Sequence, residues 1–492
     1  MGKNVQQATQ VASFIHDLNS AQVPTVVRHQ ARRCLIDTLG VAIAGTRLPI
    51  AKIVNRFVAR HLGTSDADGA RLLLDGRRVS VPGAAMAGAA IIDGFDAHDG
   101  HVLCKGHVGV TALPAALAFS DSLKLDDLDE LLNLLLIGYE VSTRAGIALH
   151  ATSPVFHSSG AWNSFGPAAI GARMLRLSAL ETCHALGIAE YYGPRSSLMR
   201  VVTYPTMLKD GSTMGAFAGT SAAYLAAEGF TGAPVETIDL ELEAKDLWSD
   251  LGQRWRILEQ YVKPVPVCRW TQPAVQAVLS LRSRHPELTH EHVQSVAIET
   301  FHEAVSLSCR EPSETDAAQY SLPFAVGAAL VHGRLTPSEI AGVGLLDPDV
   351  LSVSRNAQLI EMDTYNALFP AERWANVRLM LKNGTVLDSG AHTTIGDAAE
   401  PLSDDALMSK FFENCGGTLG RDRADRIAAI VLGGSPNSSL RELCDLVTAP
   451  DETLIPGGFD PTVSDFDEGR PRIGISQNQC RMSSAISNEI NK

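Results

Sequence analysis

Aromatic residues make up only 6% of this 492-residue chain, and no Cys-x-x-Cys pair occurs in it. The eight cysteines, at 34, 104, 183, 268, 309, 415, 444 and 480, are spaced for neither a zinc ribbon nor a disulfide framework, so reduced thiols are expected. Runs of Lys and Arg are missing too, and the formal charge is −14; such a surface repels nucleic acid. No apolar run approaches the roughly 18–20 residues that span a bilayer. The opening segment MGKNVQQATQ has no apolar core of a secretory signal, and Gln6 stands where a myristoylation signal carries Ser or Thr. The expectation is a soluble protein of the cytoplasm or an organelle matrix, with no nucleic-acid or membrane partner. An HExxH motif and internal repeats are also absent.

What the chain does have is alanine and glycine in helical register. Hydrophobic residues at 45% and charged residues at 20% describe a globular protein long enough for two or three domains. In QVPTVVRHQARRCLIDTLGVAIAG, Val27, Ala31, Cys34, Leu35, Leu39 and Ala42 recur at spacings of three and four, which predicts a helix with Gly45 as its C-terminal cap. GAAMAGAAIIDGF, VTALPAALAFSDSL, DELLNLLLIGYEVSTRAGIALH, GPAAIGARMLRLSALETCHALGIA and GAFAGTSAAYLAAEGF repeat the pattern. After residue 262 it changes. HVQSVAIETF alternates like a strand, and VRLMLKNGTVLDSG puts Val377, Leu379 and Leu381 on one face before an Asn383-Gly384 hairpin turn. The predicted class is mainly α: a helical domain over 8–262, an inserted α+β domain over 263–402, a helical return over 403–448 and an extended tail over 449–492.

One stretch concentrates ionisable groups between two apolar helices: DGFDAHDGHVLCKGHVG, from Asp93 to Gly109. Asp96, His98, Asp99, His101 and His107 have the donor types of a zinc or ferrous site. The same groups suit metal-free acid–base work, or a solvated loop with helix caps. Further polar elements sit at the edges of apolar helices in the same manner: His157 in SPVFHSSGAWNSFG, Lys209 in PTMLKDGSTMG, and Lys263, Cys268, Arg269 and Gln272 in YVKPVPVCRWTQPA. That repeated layout favours a shared pocket over the solvated loop.

LIDTLGVAIAGT, GYEVSTRAG, the loop from Asp96 to His107, FHSSGAWNSFGPAAIGARML, KDGSTMGAFAGTSAAYLAAEGFTG, KPVPVCRWTQPAV and AAQYSLPFAVGAAL together resemble the MmgE/PrpD superfamily, in order, across residues 8–448. The resemblance implies a large all-helical domain interrupted by a smaller α+β lid domain, a homodimer, and a cleft between the two domains. It also implies 2-methylcitrate dehydration, cis-aconitate decarboxylation or iminodisuccinate epimerisation, on small di- and tricarboxylates, without a required metal or organic cofactor. The family's acidic residue at the start of the first loop matches Asp96, its loop-closing His matches His107, its next His matches His157 and its Lys matches Lys209. Gln272 stands where the decarboxylase branch has a His, and Phe324 where it has a Tyr, which turns the expectation towards a dehydratase, with decarboxylase, epimerase or a silent carboxylate-binding dimer as alternatives.

Each of these reactions builds negative charge on carbon beside a carboxylate, so the site needs fixed positive charge and a placed proton carrier. Lys209 and Lys263 are the candidate carboxylate anchors, with Arg195, Arg200 or Arg269 as bidentate partners. His107 and His157 are the candidate proton carriers. Asp96 would orient a His or act as base, and His101 would supply a proton or a hydrogen bond. Gln272 and Phe324 are placed at the substrate, and Cys104 and Lys105 are read as bystanders.

Overall fold

Helices faced with Ala and Gly carry no side chains long enough to hold their neighbours off, and the first half of the chain is built from them. The computed structural model describes residues 5–64, 68–240, 245–433 and 439–450; it is 59% helical with only small sheets. The Leu128–Thr152 helix runs through the interior, buried from Leu131 to Leu149. The helices Gly109–Ser122 and Phe165–Met174 pack on it, and Val81–Phe95, Ala179–Tyr192 and Ser212–Ala227 pack on these and on one another.

Two expectations need correction. Gly45 is the last residue of the Thr25–Gly45 helix and no cap; the cap is Thr46, in the right-handed region. Glycine is needed there because a Cβ would sit 2.2 Å from the Ile91 carbonyl oxygen of the neighbouring helix. The segment from Gly166 to Ala189 is two helices, not one. It breaks after Met174, and Ser178 restarts it through a capping box, its hydroxyl accepting from the Glu181 amide at 3.3 Å while the Glu181 carboxylate accepts from the Ser178 amide at 2.7 Å.

Beyond Tyr261 the chain builds its four-stranded sheet, in the order Gln358–Glu361, Val293–Thr300, Ala375–Leu381, Val386–Asp388. The first pair is parallel and the other two antiparallel. The hairpin expected at Asn383-Gly384 is present: Gly384 takes φ 86°, and the Asn383 side chain accepts from the Thr385 amide at 2.9 Å. Val377 and Leu379 point into the core, against the Gln272–Arg284 helix, which in turn packs on Leu322–His332. The Asp404–Cys415 helix then returns to the first layer, against Thr25–Gly45. Its Lys410 reaches Asp37 at 2.6 Å and the Ala97 carbonyl at 2.8 Å.

The tail expected after residue 449 lies outside the described residues from 451 onward. Among the described residues no disulfide joins two cysteines, and no single helix is long and apolar enough to cross a membrane.

The close helix approach has a testable consequence. In an isolated helix Gly→Ala is favourable by about 1 kcal/mol, but a Cβ on Gly219 would lie 2.1 Å from the Ser164 carbonyl oxygen. Gly219→Ala is therefore expected to destabilise by about 1–3 kcal/mol. The effect should appear as a lower urea midpoint at unchanged slope; a midpoint equal to or above the parent's would contradict this packing.

Candidate active site

The Val81–Phe95 helix ends on Asp96, which adopts the left-handed conformation at φ 55°. Helix ends leave carbonyls without partners. Here Gln319 takes two of them from far along the chain, donating to Gly94 O at 3.1 Å and Phe95 O at 2.8 Å. The Gln319 amide oxygen accepts from the Lys209 ammonium, which also lies 3.2 Å from Asp316. The Asp96 carboxylate, projecting past the helix end, meets the Lys263 ammonium at 2.5 Å. All of these side chains are buried.

The first part of the following loop is core, not a solvated connection: His98 and Asp99 have no exposed surface and His101 is 2% exposed, while Leu103 beyond them reaches the surface. Asp99 acts as scaffold. Its carboxylate accepts from the Tyr139 hydroxyl and from the Gly109 amide at 3.1 Å, and its carbonyl lies 2.6 Å from His107 Nδ1. A carbonyl only accepts, so Nδ1 carries the proton and Nε2 offers a lone pair. That Nε2 stands 4.0 Å from Asp210 Oδ2. Ser159 bridges the two residues, its hydroxyl donating to Asp210 and accepting from the His107 amide at 3.0 Å.

The opposite wall arrives through the segment between Leu247 and Tyr261. Glu140 and Arg144, from the GYEVSTRAG motif, hold it in place. Glu140 accepts from the Ile257 amide at 3.0 Å, and Arg144 binds Asp250 and the carbonyls of Leu247 and Arg254. The chain then pairs as the strand Gln260–Tyr261 with Gly100–His101, which sets Lys263 opposite Asp96. The result is a cleft lined from both halves of the chain. The helical half contributes Asp96, His101, Lys105, His107 and Asp210, and the later half Tyr261, Lys263, Arg269, Tyr320 and Arg373. Phe156, Leu198, Val202, Trp270 and Phe369 make its apolar wall.

Burial sets the protonation states, disfavouring charge on acids and bases alike. It pushes Asp210 up to about 6 and, with the charge of Asp210 added, Asp93 to about 8. Burial and then Lys263 push His107 down to about 3. Burial, followed by the neighbouring His107 imidazole and the ammonium groups of Lys263, Lys209 and Lys410, drives His98 well below its ordinary value. Lys209 is the exception: burial pulls it down, but Asp316, Asp96 and Asp93 outweigh this and hold it above its usual value.

Asp96, His98 and His107 also bring one ligand atom each within 4.8 Å of one another. As donors they suit a divalent ion. Their setting does not, because Lys263 already occupies Asp96 and three ammonium groups bear on His98. The surroundings favour an anion.

Of the residues singled out from sequence, Asp96, His101, His107, Lys263 and Arg269 line the cleft, as does Lys105, read as a bystander. Lys209 stands behind the wall, on Gln319 and Asp316. His157 is set beside Phe156, its amide donating to His150 Nε2 at 3.1 Å, and does not itself line the cleft. Gln272 and Phe324 are fully buried away from it; the Gln272 side chain donates to the carbonyls of Val265 at 2.8 Å and Val267 at 2.9 Å, holding the chain turn after Lys263. Arg195 and Arg200 are not in the lining. The sequence reading missed Asp210, Tyr261, Tyr320 and Arg373. Asp210 follows Lys209 inside a motif already singled out, whereas nothing in PAERWANV marks Arg373.

Comparison with known proteins follows the same division of the chain. The MmgE/PrpD N-terminal domain model matches residues 9–246, and the MmgE/PrpD C-terminal domain model matches residues 265–433. The chain is 21% identical over 478 residues to a cis-aconitate decarboxylase of Aspergillus terreus, covering 90% of this chain and 96% of that protein. It is 23% identical over 481 residues to the cis-aconitate decarboxylase of Homo sapiens, with coverage of 92% and 95%. The Mus musculus enzyme of the same name is 22% identical over 449 residues, with coverage of 85% and 89%. Since the two matched domains follow in order along the chain and each supplies one wall of the cleft, the protein belongs to the MmgE/PrpD family.

Proposed function

We propose that this chain is a lyase that needs no metal or organic cofactor and acts on a small polycarboxylate, removing carbon dioxide from an acid resembling cis-aconitate. The observation that carries the reading is the placement of the Lys263–Asp96 pair beside the His107–Asp210 pair in one cleft. A substrate carboxylate held at Lys263 stabilises negative charge developing on the adjacent carbon. A second carboxylate laid on the apolar wall of Phe156, Leu198, Trp270 and Phe369 loses its hydration and leaves as carbon dioxide. The electron pair of the broken carbon–carbon bond stays on the substrate carbon, which then takes a proton from neutral Asp210, directly or through His107. The decarboxylase relatives support this choice of bond. Gln272 and Phe324, which spoke against it, do not line the cleft and so do not weigh on the bond that breaks.

Dehydration is the second reading, and one observation favours it. His107 is held as a free base next to Asp210 as a neutral acid, and an acid–base pair of this kind suits removal of a carbon-bound proton with departure of a hydroxyl as water. Incubating the protein with cis-aconitate, citrate, 2-methylcitrate and malate in heavy water, before and after chelation, separates the cases by mass. Loss of carbon dioxide that survives chelation is expected. Loss of water would select the dehydratase, label gained without mass loss an epimerase, binding without turnover a silent carboxylate-binding member. Activity abolished by chelation and restored by a divalent ion would overturn the cofactor-free reading.

Asp210→Asn keeps the shape of the side chain but removes its transferable proton, and turnover is expected to fall roughly 10²–10⁴-fold. Because the folded pKa of Asp210 is raised to about 6, by burial against the pull of Ser159, the donor form is present below that pH and lost above it. Wild-type turnover should therefore decline on the alkaline side of that value. The variant should lack this limb; an unaltered rate and profile would remove Asp210 from the chemistry. Asp96, Lys263 and Asp93 lie near enough to move the midpoint.

We further propose that the protein is a homodimer. Tyr191, Tyr192, Met199, Tyr204, Met207, Leu208 and Met214 are exposed along one segment, Tyr191 at 79% and Leu208 at 77%. The cleft residues Leu198 and Val202 belong to the same segment. Light scattering should give twice the chain mass, and Tyr191→Glu with Leu208→Glu should reduce it to a monomer. A parent that is monomeric at micromolar concentration would exclude the dimer.

A further inference from the structure

The mechanism above leaves one wall of the cleft without a task. Arg269 and Arg373 both line it, and each is only 7% exposed. Arg269 lies with Cζ 3.7 Å from the Tyr261 ring centroid and gives Nη2 to Asp397, while its Nε and Nη1 have no hydrogen-bond partner. Arg373 lies over the Phe369 ring, with Cζ 5.6 Å from the centroid. Its Nε is buried without a partner, and among the described residues no carboxylate pairs with it. Burial, and then the charge of Arg269, pull its pKa below the ordinary value, so the two guanidinium groups feel each other across the wall.

Arginine does not escape this position by losing its proton, as a buried lysine can. Two permanent cations with one carboxylate, Asp397, between them leave positive charge uncompensated and N–H donors unmade. Buried donors and charges of native proteins are otherwise nearly always satisfied. The flat fork of a guanidinium pairs with the two oxygens of a carboxylate, and each fork lies over an aromatic ring, Tyr261 for Arg269 and Phe369 for Arg373. The Lys263–Asp96 end is a different place in the cleft, with its own cation.

We propose that Arg269 and Arg373 form a second carboxylate subsite, which grips a carboxylate remote from the reacting carbon and selects acids with three carboxylates over those with two. This rests on the reading of the cleft as a polycarboxylate site. It goes beyond that reading by assigning a specificity role to Arg373 and a joint one to the pair. Lys263 then takes one carboxylate, the apolar wall a second and the arginines the third.

The test is calorimetric titration of the whole chain with tricarballylate and with methylsuccinate, which is the same acid with one terminal carboxylate group replaced by hydrogen. The wild type is expected to bind the triacid at least tenfold more tightly. Arg373→Met should bring the two affinities within threefold of each other, chiefly by weakening the triacid. Arg373→Lys, which keeps the charge without the fork, should fall between the two and serves as the second variant if the methionine protein does not fold by circular dichroism. Wild-type protein that binds neither acid would defeat the polycarboxylate reading itself. Wild-type protein that binds both equally, or an Arg373 variant that keeps the parental ratio, would defeat the subsite alone.

Discussion

A buried ammonium–carboxylate contact, Lys263 on Asp96 at 2.5 Å, is the interaction on which the cleft depends. The residues stand 167 positions apart, one at the end of an N-terminal helix and the other beyond the strand Gln260–Tyr261. Stripping two such charges of water is costly, and leaving one of them without the other costs about 3–5 kcal/mol more. The pair therefore forces agreement between two parts of the chain. The helix has to stop at Asp96, the loop has to turn inward, and the segment after Trp255 has to return along Gly100–His101. Gln319 adds a second tie at the same point by closing the helix-end carbonyls and receiving Lys209.

Around that contact, burial sorts the protons. Carboxyl groups rise and imidazoles fall when water is withdrawn, so Asp93, Asp99 and Asp210 are pushed towards their neutral forms while His98 and His107 are pushed towards theirs. Lysine and arginine respond less, because Lys209 is ringed by carboxylates and guanidinium groups hold their protons. What remains is an interior whose fixed charge is positive and whose movable protons sit on a carboxyl next to a free imidazole. That combination is what the proposed reading, proton transfer at a carbon of a polyanion, asks of a site. The same charge makes the Asp96–His98–His107 grouping a poor seat for a cation.

Much of this was legible in the chain beforehand. Three- and four-residue spacing of small apolar residues marks the helices, alternation in HVQSVAIETF marks a strand, and Asn383-Gly384 marks its neighbour's turn, since each is a local pattern. Asp96, His107, Lys263 and Arg269 were visible because polar groups at the edges of apolar helices are conspicuous. Gly45 was misread because a glycine after a helical run serves equally as a cap or as a point of close approach, and only the position of Ile91 on another helix separates the two. Gln272 and Phe324 were placed at the substrate from resemblance, but residues adjacent in a motif point to opposite sides of a chain.

The amino-acid sequence by itself determined which segments are helical, which alternate as strands, and which short stretches carry charge, because these follow from the order of neighbouring side chains. The folded structure alone decided that Lys263 meets Asp96, that Asp210 faces His107, that His157 stands aside, and that Arg373 shares a wall with Arg269. Those outcomes come from contacts between residues 100 or more positions apart, apart from the local reach between residues such as His107 and Asp99. A charge's partner, hydration and proton affinity exist only once the chain has brought such residues together.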